Sequence, residues 1–226
     1  MGQSDMTEEM MPVTDGKLYE LKEFVRAGCG DCSGCSECCR DMGQSIVLDP
    51  YDMFRLKTET GKTFQALMED GIFALSVREG LIIPYLRMRE DTNSCVFLNE
   101  QGRCTIHSYR PGLCRLFPLG RNYADGKLSY IRMTEACTKK THAKVRISDW
   151  IGVRPPEAYE AFVHAWHDFR KKVACRLPEA DEEQTMQINT YLLQTFFVND
   201  LKAEDDFFAF AGERMAFITK TLGFGL

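Results

Sequence analysis

The 226-residue chain contains no run of five or six basic residues. Its 28 lysines and arginines are scattered among 33 acidic residues, for a formal net charge of −5. That balance argues against a nucleic-acid protein, which usually shows a basic stripe. No apolar run approaches the roughly 20 residues that a membrane span needs. The segment from Met1 to Glu20 has neither a basic start nor an apolar stretch, so it does not read as a secretory signal. The chain begins Met1-Gly2, but Met6 stands where a myristoylation motif requires Ser or Thr. The expected setting is soluble and cytoplasmic, with neither nucleic acid nor membrane as a partner. Familiar catalytic signatures are also missing: there is no P-loop, no G-x-G-x-x-G after a strand, no G-x-S-x-G elbow and no H-E-x-x-H.

Cysteine, by contrast, is abundant, with ten in the chain. A reducing compartment does not maintain disulfides, so dense cysteine there points to metal or redox chemistry. Five of the ten fall within eleven residues: Cys29, Cys32, Cys35, Cys38 and Cys39. Each C-x-x-C step lets two thiolates turn toward one ion, and the Gly and Ser between them permit a tight loop. Crowded thiolates repel one another, and a bound Zn²⁺ or iron–sulfur cluster removes that cost. A second set is more spread out: Cys95, Cys104 and Cys114, followed by Cys137. Val96, Phe97, Leu98 and Ile106 are interleaved with it and suggest short strands that present cysteines from a packed surface. Pro111 is placed to begin a helical turn carrying Cys114. Arg110 and Arg115 are candidates to offset thiolate charge through charge-assisted hydrogen bonds.

The chain divides into three parts. Residues 1–28 are a polar lead with an amphipathic stretch around Leu18, Leu21, Phe24 and Val25. Residues 29–140 form the cysteine-cluster domain and hold nine of the ten cysteines. Residues 141–226 read as a helical extension packed on that domain. Within the middle part, Asp49-Pro50 opens a helix that Gly61 stops. A second helix runs over 63–70, and hairpins turn at Glu79-Gly80 and Asp125-Gly126. In the tail, Tyr159, Phe162, Val163, Trp166, Phe169 and Val173 recur at helical spacing. Further stripes are Met186, Leu192, Leu193, Phe196, Phe197, and Phe207, Phe208, Ala211, Met215, Ile218. All are expected to be core contacts, and Asp205-Asp206 to start the last helix. The expected fold class is α+β: a small cysteine-rich metal-binding domain with short strands and helices, then a helical C-terminal part. At 44% hydrophobic, the chain can bury a core without disulfides.

Several motifs occur in fixed order: Cys32-x2-Cys35-x2-Cys38-Cys39, Cys95-x-Phe97-Leu98, Gly102-x-Cys104, and Arg110-Pro111-x2-Cys114-Arg115-x-Phe117-Pro118. Together they resemble the YkgJ-type CxxCxxCC cysteine cluster family, a zinc- or iron-chelating domain that includes the flagellin lysine N-methylase branch. Phe196-Phe197 and Asp205-Asp206-Phe207-Phe208 look like its longer members. The resemblance implies metal ligands at Cys32, Cys35, Cys38, Cys39, Cys95, Cys104 and Cys114, with Cys137 as an eighth. Cys29 extends the run as a spare or alternative ligand. Cys175, far from the others, is expected to be a buried thiol rather than a ligand.

Four thiolates satisfy one Zn²⁺ or one cubane cluster, so this set could hold two centres, or one centre with structural thiols. The ferredoxin run fits poorly because Cys39 precedes Arg40 instead of Pro. The radical-SAM spacing is reversed. His107 is expected to pack behind the ligands, His142 is open, and His164 and His167 fall on the solvated side of the long helix. Three functions follow. The first is an iron–sulfur protein, 4Fe–4S foremost, in redox or enzyme chemistry. The second is a structural zinc module serving a protein partner. The third, on resemblance alone, is a lysine N-methyltransferase-like enzyme.

Overall fold

The computed structural model describes residues 13–28, 35–138, 143–202 and 206–221. Helix α1 spans Pro50–Thr60. Asp49 caps it, with its side chain accepting from the Asp52 N–H while the Asp52 carboxylate accepts from the Asp49 N–H. This reciprocal pair satisfies two otherwise orphaned donors. Gly61 ends the helix in the left-handed region, φ 68°, where a Cβ would be strained. Helix α2, Phe64–Glu69, follows with Thr63 as its cap.

Six short strands form three antiparallel pairs among the described residues. β2, Phe73–Arg78, pairs with β3, Leu81–Leu86; β4, Leu119–Ala124, pairs with β5, Lys127–Arg132. Each hairpin turns on two positive-φ residues, Glu79-Gly80 and Asp125-Gly126, which matches the twist of the flanking strands. The third pair joins distant parts of the chain: β1, Phe24–Gly28, lies against β6, Ala143–Arg146. The lead segment is thus extended, with Leu21 and Val25 buried and Phe24 exposed. Tyr19 bridges Tyr130, and Leu18 is exposed. The tail likewise opens with a strand before its helices.

Helix α3, Gly112–Leu116, carries Cys114, and α4, Ile147–Ile151, follows β6. The tail then builds α5 over Pro156–Arg176, α6 over Glu182–Leu193 with a π-helical turn to Val198, and α7 over Phe207–Thr221. α5 buries the expected apolar stripe. Tyr51 of α1 meets Tyr159 at 5.4 Å and Phe207 at 5.2 Å, while Trp166 meets Phe196 at 5.0 Å between ring centroids. Aromatic contacts of this kind join α1 to the helical tail. Buried Lys57 adds a polar tie: its Nζ donates to the Val198 and Asn199 carbonyls and pairs with Asp200. Asn189 ties α6 to the β2–β3 hairpin, accepting from the Ile82 N–H at 2.7 Å and donating to the Gly80 carbonyl at 3.0 Å.

The fold is α+β with a helical C-terminal part, as expected. Three side chains depart from expectation. Met186 is exposed, because the inner face of α6 runs through Asn189 and Leu192. Cys175 is exposed on α5 rather than buried. His167 is not simply solvated: its ring stacks on Tyr123 at 3.7 Å, which fixes β4 against α5. Asp206 starts α7 as expected, accepting from the Phe208 and Ala209 N–H groups; Asp205 lies outside the described residues. No helix among those described is long and apolar enough to cross a membrane.

Candidate metal centre

Cys38 and Cys39 sit on a single 3-10 turn, Glu37–Cys39, closed by the Cys39 N–H donating to the Ser36 carbonyl at 2.9 Å. The Cys39 carbonyl then accepts from the Cys95 N–H at 2.7 Å, which stitches the first cysteine run to the second. Cys95 and Cys104 do not lie in strands. Each makes an isolated bridge, Met88 with Cys95 and Leu98 with Cys104. Arg89, itself exposed, holds this loop, with Nη1 donating to the Cys95 and Leu98 carbonyls and Nη2 to that of Val96. The guanidinium takes the place of a strand ladder for these loop carbonyls, of which that of Cys95 also accepts from the Leu98 N–H at 2.9 Å.

Cys114 arrives on the short α3, and a buried carboxylate locates that helix. Asp52 Oδ1 accepts from the Gly112 N–H at 2.7 Å, a link across 60 residues from α1. Gly112 has no room for a side chain, because a Cβ there would stand 2.5 Å from Tyr159 Oη. Burial, and then the charge of Asp49, pushes the Asp52 carboxyl well above the usual carboxylate range.

These pieces enclose a cavity of about 60 Å³ lined by six cysteines: Cys35, Cys38, Cys39, Cys95, Cys104 and Cys114. Ile46, Leu86, Met88 and Ile106 complete its apolar wall. Of the other expected ligands, Cys29 and Cys32 lie outside the described residues, as does His142. Cys137 is half-buried and does not line this cavity; neither does Cys175. Among the described residues, no three His, Cys, Asp or Glu side chains stand ready as a coordination set. The thiols share one space without being drawn together around a point.

The electrostatics of that space suit a thiophilic cation. A hydrogen bond with Cys39 pushes the Cys38 thiol up, and burial and the Cys39 charge push it further. Burial pushes up Cys114, and the charges of Cys95, Asp52, Cys38 and Cys104 add to the effect. Cys95 and Cys104 are raised chiefly by burial, and each is also raised by other thiols of the set. Several thiolates can coexist in such a space only with a positive charge between them.

Two arginines supply part of that charge. Arg110 lines the cavity, donating from Nη1 to the His107 carbonyl at 2.8 Å and from Nε to the Cys114 carbonyl at 3.3 Å. Its charge favours the thiolate forms of Cys38 and Cys104. Arg103 acts similarly on Cys104. Arg115, expected beside Arg110, is instead buried away from the cavity lining and donates to the Ser108 carbonyl at 2.8 Å. His107 lines the cavity with its ring against Arg110. Sequence reading passed over Arg89 and Asp52, which touch backbone rather than the cavity and carry no motif.

No curated protein and no solved structure matches the chain. Residues 31–138 match the model of the CxxCxxCC family, described as "Putative zinc- or iron-chelating domain", the same family that the cysteine motifs resemble.

Proposed function

We propose that this protein binds a metal centre through thiolates of the cavity cysteines, and that the centre is an iron–sulfur cluster. The observation that carries the reading is the meeting of six thiols, from three separated stretches of chain, around one enclosed space. Cys38, Cys95, Cys104 and Cys114, mutually coupled in charge, are the core donors. Cys35 and Cys39 lie beside them, and Cys29, Cys32 and Cys137 belong to the wider set. One zinc ion and one cubane cluster each take four thiolates, so the thiols beyond four would serve a second centre or the structure around the first. Ile46, Leu86, Met88 and Ile106 give the space an apolar wall, and Arg110 and Arg103 offset charge. A bound cluster would supply one-electron chemistry there.

Iron with matching acid-labile sulfide is expected in full-length protein purified without oxygen, together with broad visible absorption. Zinc without sulfide would replace the cluster by a structural zinc site; protein that retains neither metal would overturn the reading.

The raised thiols add a second expected result. Without metal they remain protonated near neutral pH, so loading must expel their protons. Metal affinity therefore rises with pH throughout the neutral range. About four protons should leave per four-thiolate centre, measurable by calorimetry in buffers of different ionisation enthalpy. Loading without proton release would mean that the thiols are not the ligands.

A further inference from the structure

A second cavity, of about 430 Å³, adjoins the thiol cavity and shares Cys38, Ile46 and Cys114 with it. Met42, Leu113, Phe117 and Met133 make its walls largely apolar. One side of it is β4, through Leu119, Gly120, Arg121 and Tyr123. Gly120 has no side chain to offer, so the cavity reaches the main chain of that strand.

The approach is along the outer edge of β4. On one face of the strand Ile131 covers Gly120, its Cγ1 standing 3.0 Å from where a Cβ would be. On the other face Arg121 donates to Tyr159 and Tyr123 stacks on His167, both on α5. Neither Ile131, Tyr159 nor His167 lines the cavity, so both faces are closed to it. The edge itself is unpaired. Tyr130 exchanges two hydrogen bonds with Tyr19, at 2.9 and 2.8 Å. Its neighbour across the hairpin, Arg121, is therefore in a non-hydrogen-bonded pair of the β4–β5 ladder. The N–H and C=O groups of Leu119, Arg121 and Tyr123 accordingly point away from β5. Among the described residues, no hydrogen bond reaches those groups.

An open strand edge is a template for another strand. A purely apolar ligand would displace water from these backbone groups without replacing its hydrogen bonds, which is costly. An extended peptide replaces those bonds and also lays alternate side chains against the apolar wall. We propose that this cavity binds an extended peptide segment of a partner protein. The segment pairs with the outer edge of β4 and turns apolar side chains toward Met42, Leu113 and Met133. The wall ends at Cys38 and Cys114, so the bound segment runs past the thiol cavity. The proposal rests on β4 and the wall beside it, whichever metal the neighbouring thiols hold.

The test uses the capped peptide acetyl-Lys-Leu-Thr-Leu-Thr-Leu-Lys-amide, titrated calorimetrically into the full-length protein as purified. Two further versions carry N-methyl groups, one on its leucines and the other on its threonines. Only one of these alternate sets can face β4, so one version should bind at least tenfold more weakly and the other like the parent. Hydrogen exchange at the Leu119, Arg121 and Tyr123 amides should slow at least tenfold on saturation, while Gly120 and Asn122, already bonded to β5, change little. Met133→Trp narrows the cavity from its wall and should weaken the peptide at least tenfold with unchanged circular dichroism. No saturable binding of the parent peptide, equal effects of the two methylated sets, or unchanged exchange at Arg121 and Tyr123 would each overturn the proposal. So would full binding to a folded Met133→Trp protein.

Discussion

Replacing Cys114 with serine is expected to strip most of the metal from the protein and to lower its stability at the same time. Cys114 is carried into the cavity by α3, and its thiol sits amid Cys38, Cys95 and Cys104. A serine hydroxyl is a poor partner for a thiophilic ion, and the remaining core donors, Cys38, Cys95 and Cys104, are one short of four. Outer-shell changes alone typically cost about 10–100-fold in metal affinity, so the loss of a ligand should exceed about 100-fold. Metal binding contributes folding free energy, about 10–16 kcal/mol for structural zinc in small peptides. The loss of one ligand should therefore cost on the order of 3 kcal/mol or more. Cys38→Ser should behave in the same way. Cys175→Ser should do neither, since Cys175 is exposed on α5 and outside the cavity. Metal analysis and thermal unfolding of the three variants check this. Equal metal loss in all three would mean that the cavity is not the site.

The second large effect is expected at Asp52, which never touches the cavity. Asp52→Ala removes the acceptor for the Gly112 N–H and half of the α1 capping box. Each buried donor left without a partner costs about 1–3 kcal/mol, and a lost cap typically about 1 kcal/mol. A total near 3 kcal/mol is expected from urea unfolding of metal-replete protein. Metal affinity should fall as well, because α3 loses its anchor to α1 two residues before Cys114. Asp52→Asn should recover much of both losses. It keeps an oxygen for Gly112, and burial, which holds the Asp52 carboxyl well above the usual carboxylate range, disfavours the ionised form there. An Asp52→Ala protein within about 0.5 kcal/mol of the parent, with unchanged metal affinity, would remove Asp52 from the account.

The features legible in the sequence were those with local causes. Asp49, Pro50 and Gly61 mark α1 because caps act within a turn of their own helix. Both hairpins follow from two-residue turns that demand positive φ. The stripe on α5 is buried because its period matches the helix. Cys175 shows the same rule from the other side: it lies two residues past buried Val173, about 200° around the helix, and so faces out.

The illegible features were those whose partners lie far along the chain. β1 and β6 are short strands whose pairing, such as Val25 with Val145, depends on tertiary closure. Asp52 reads as an ordinary capping residue until α3 arrives, and Arg89 reads as a surface charge until its loop wraps it. Arg121 looked like one side of a hairpin, and only the packing of α5 behind it, with Tyr159, makes it a buried cation. The clustering of Cys35, Cys38 and Cys39 was visible as spacing; that Cys95, Cys104 and Cys114 share their cavity required the fold.

The most direct test of thiolate binding is X-ray absorption at the metal edge of full-length protein as purified without oxygen. The account predicts a first shell made of sulfur, at about 2.3 Å if the metal is zinc. For a cluster, a second shell of iron neighbours should accompany it. A first shell dominated by nitrogen or oxygen would contradict the account.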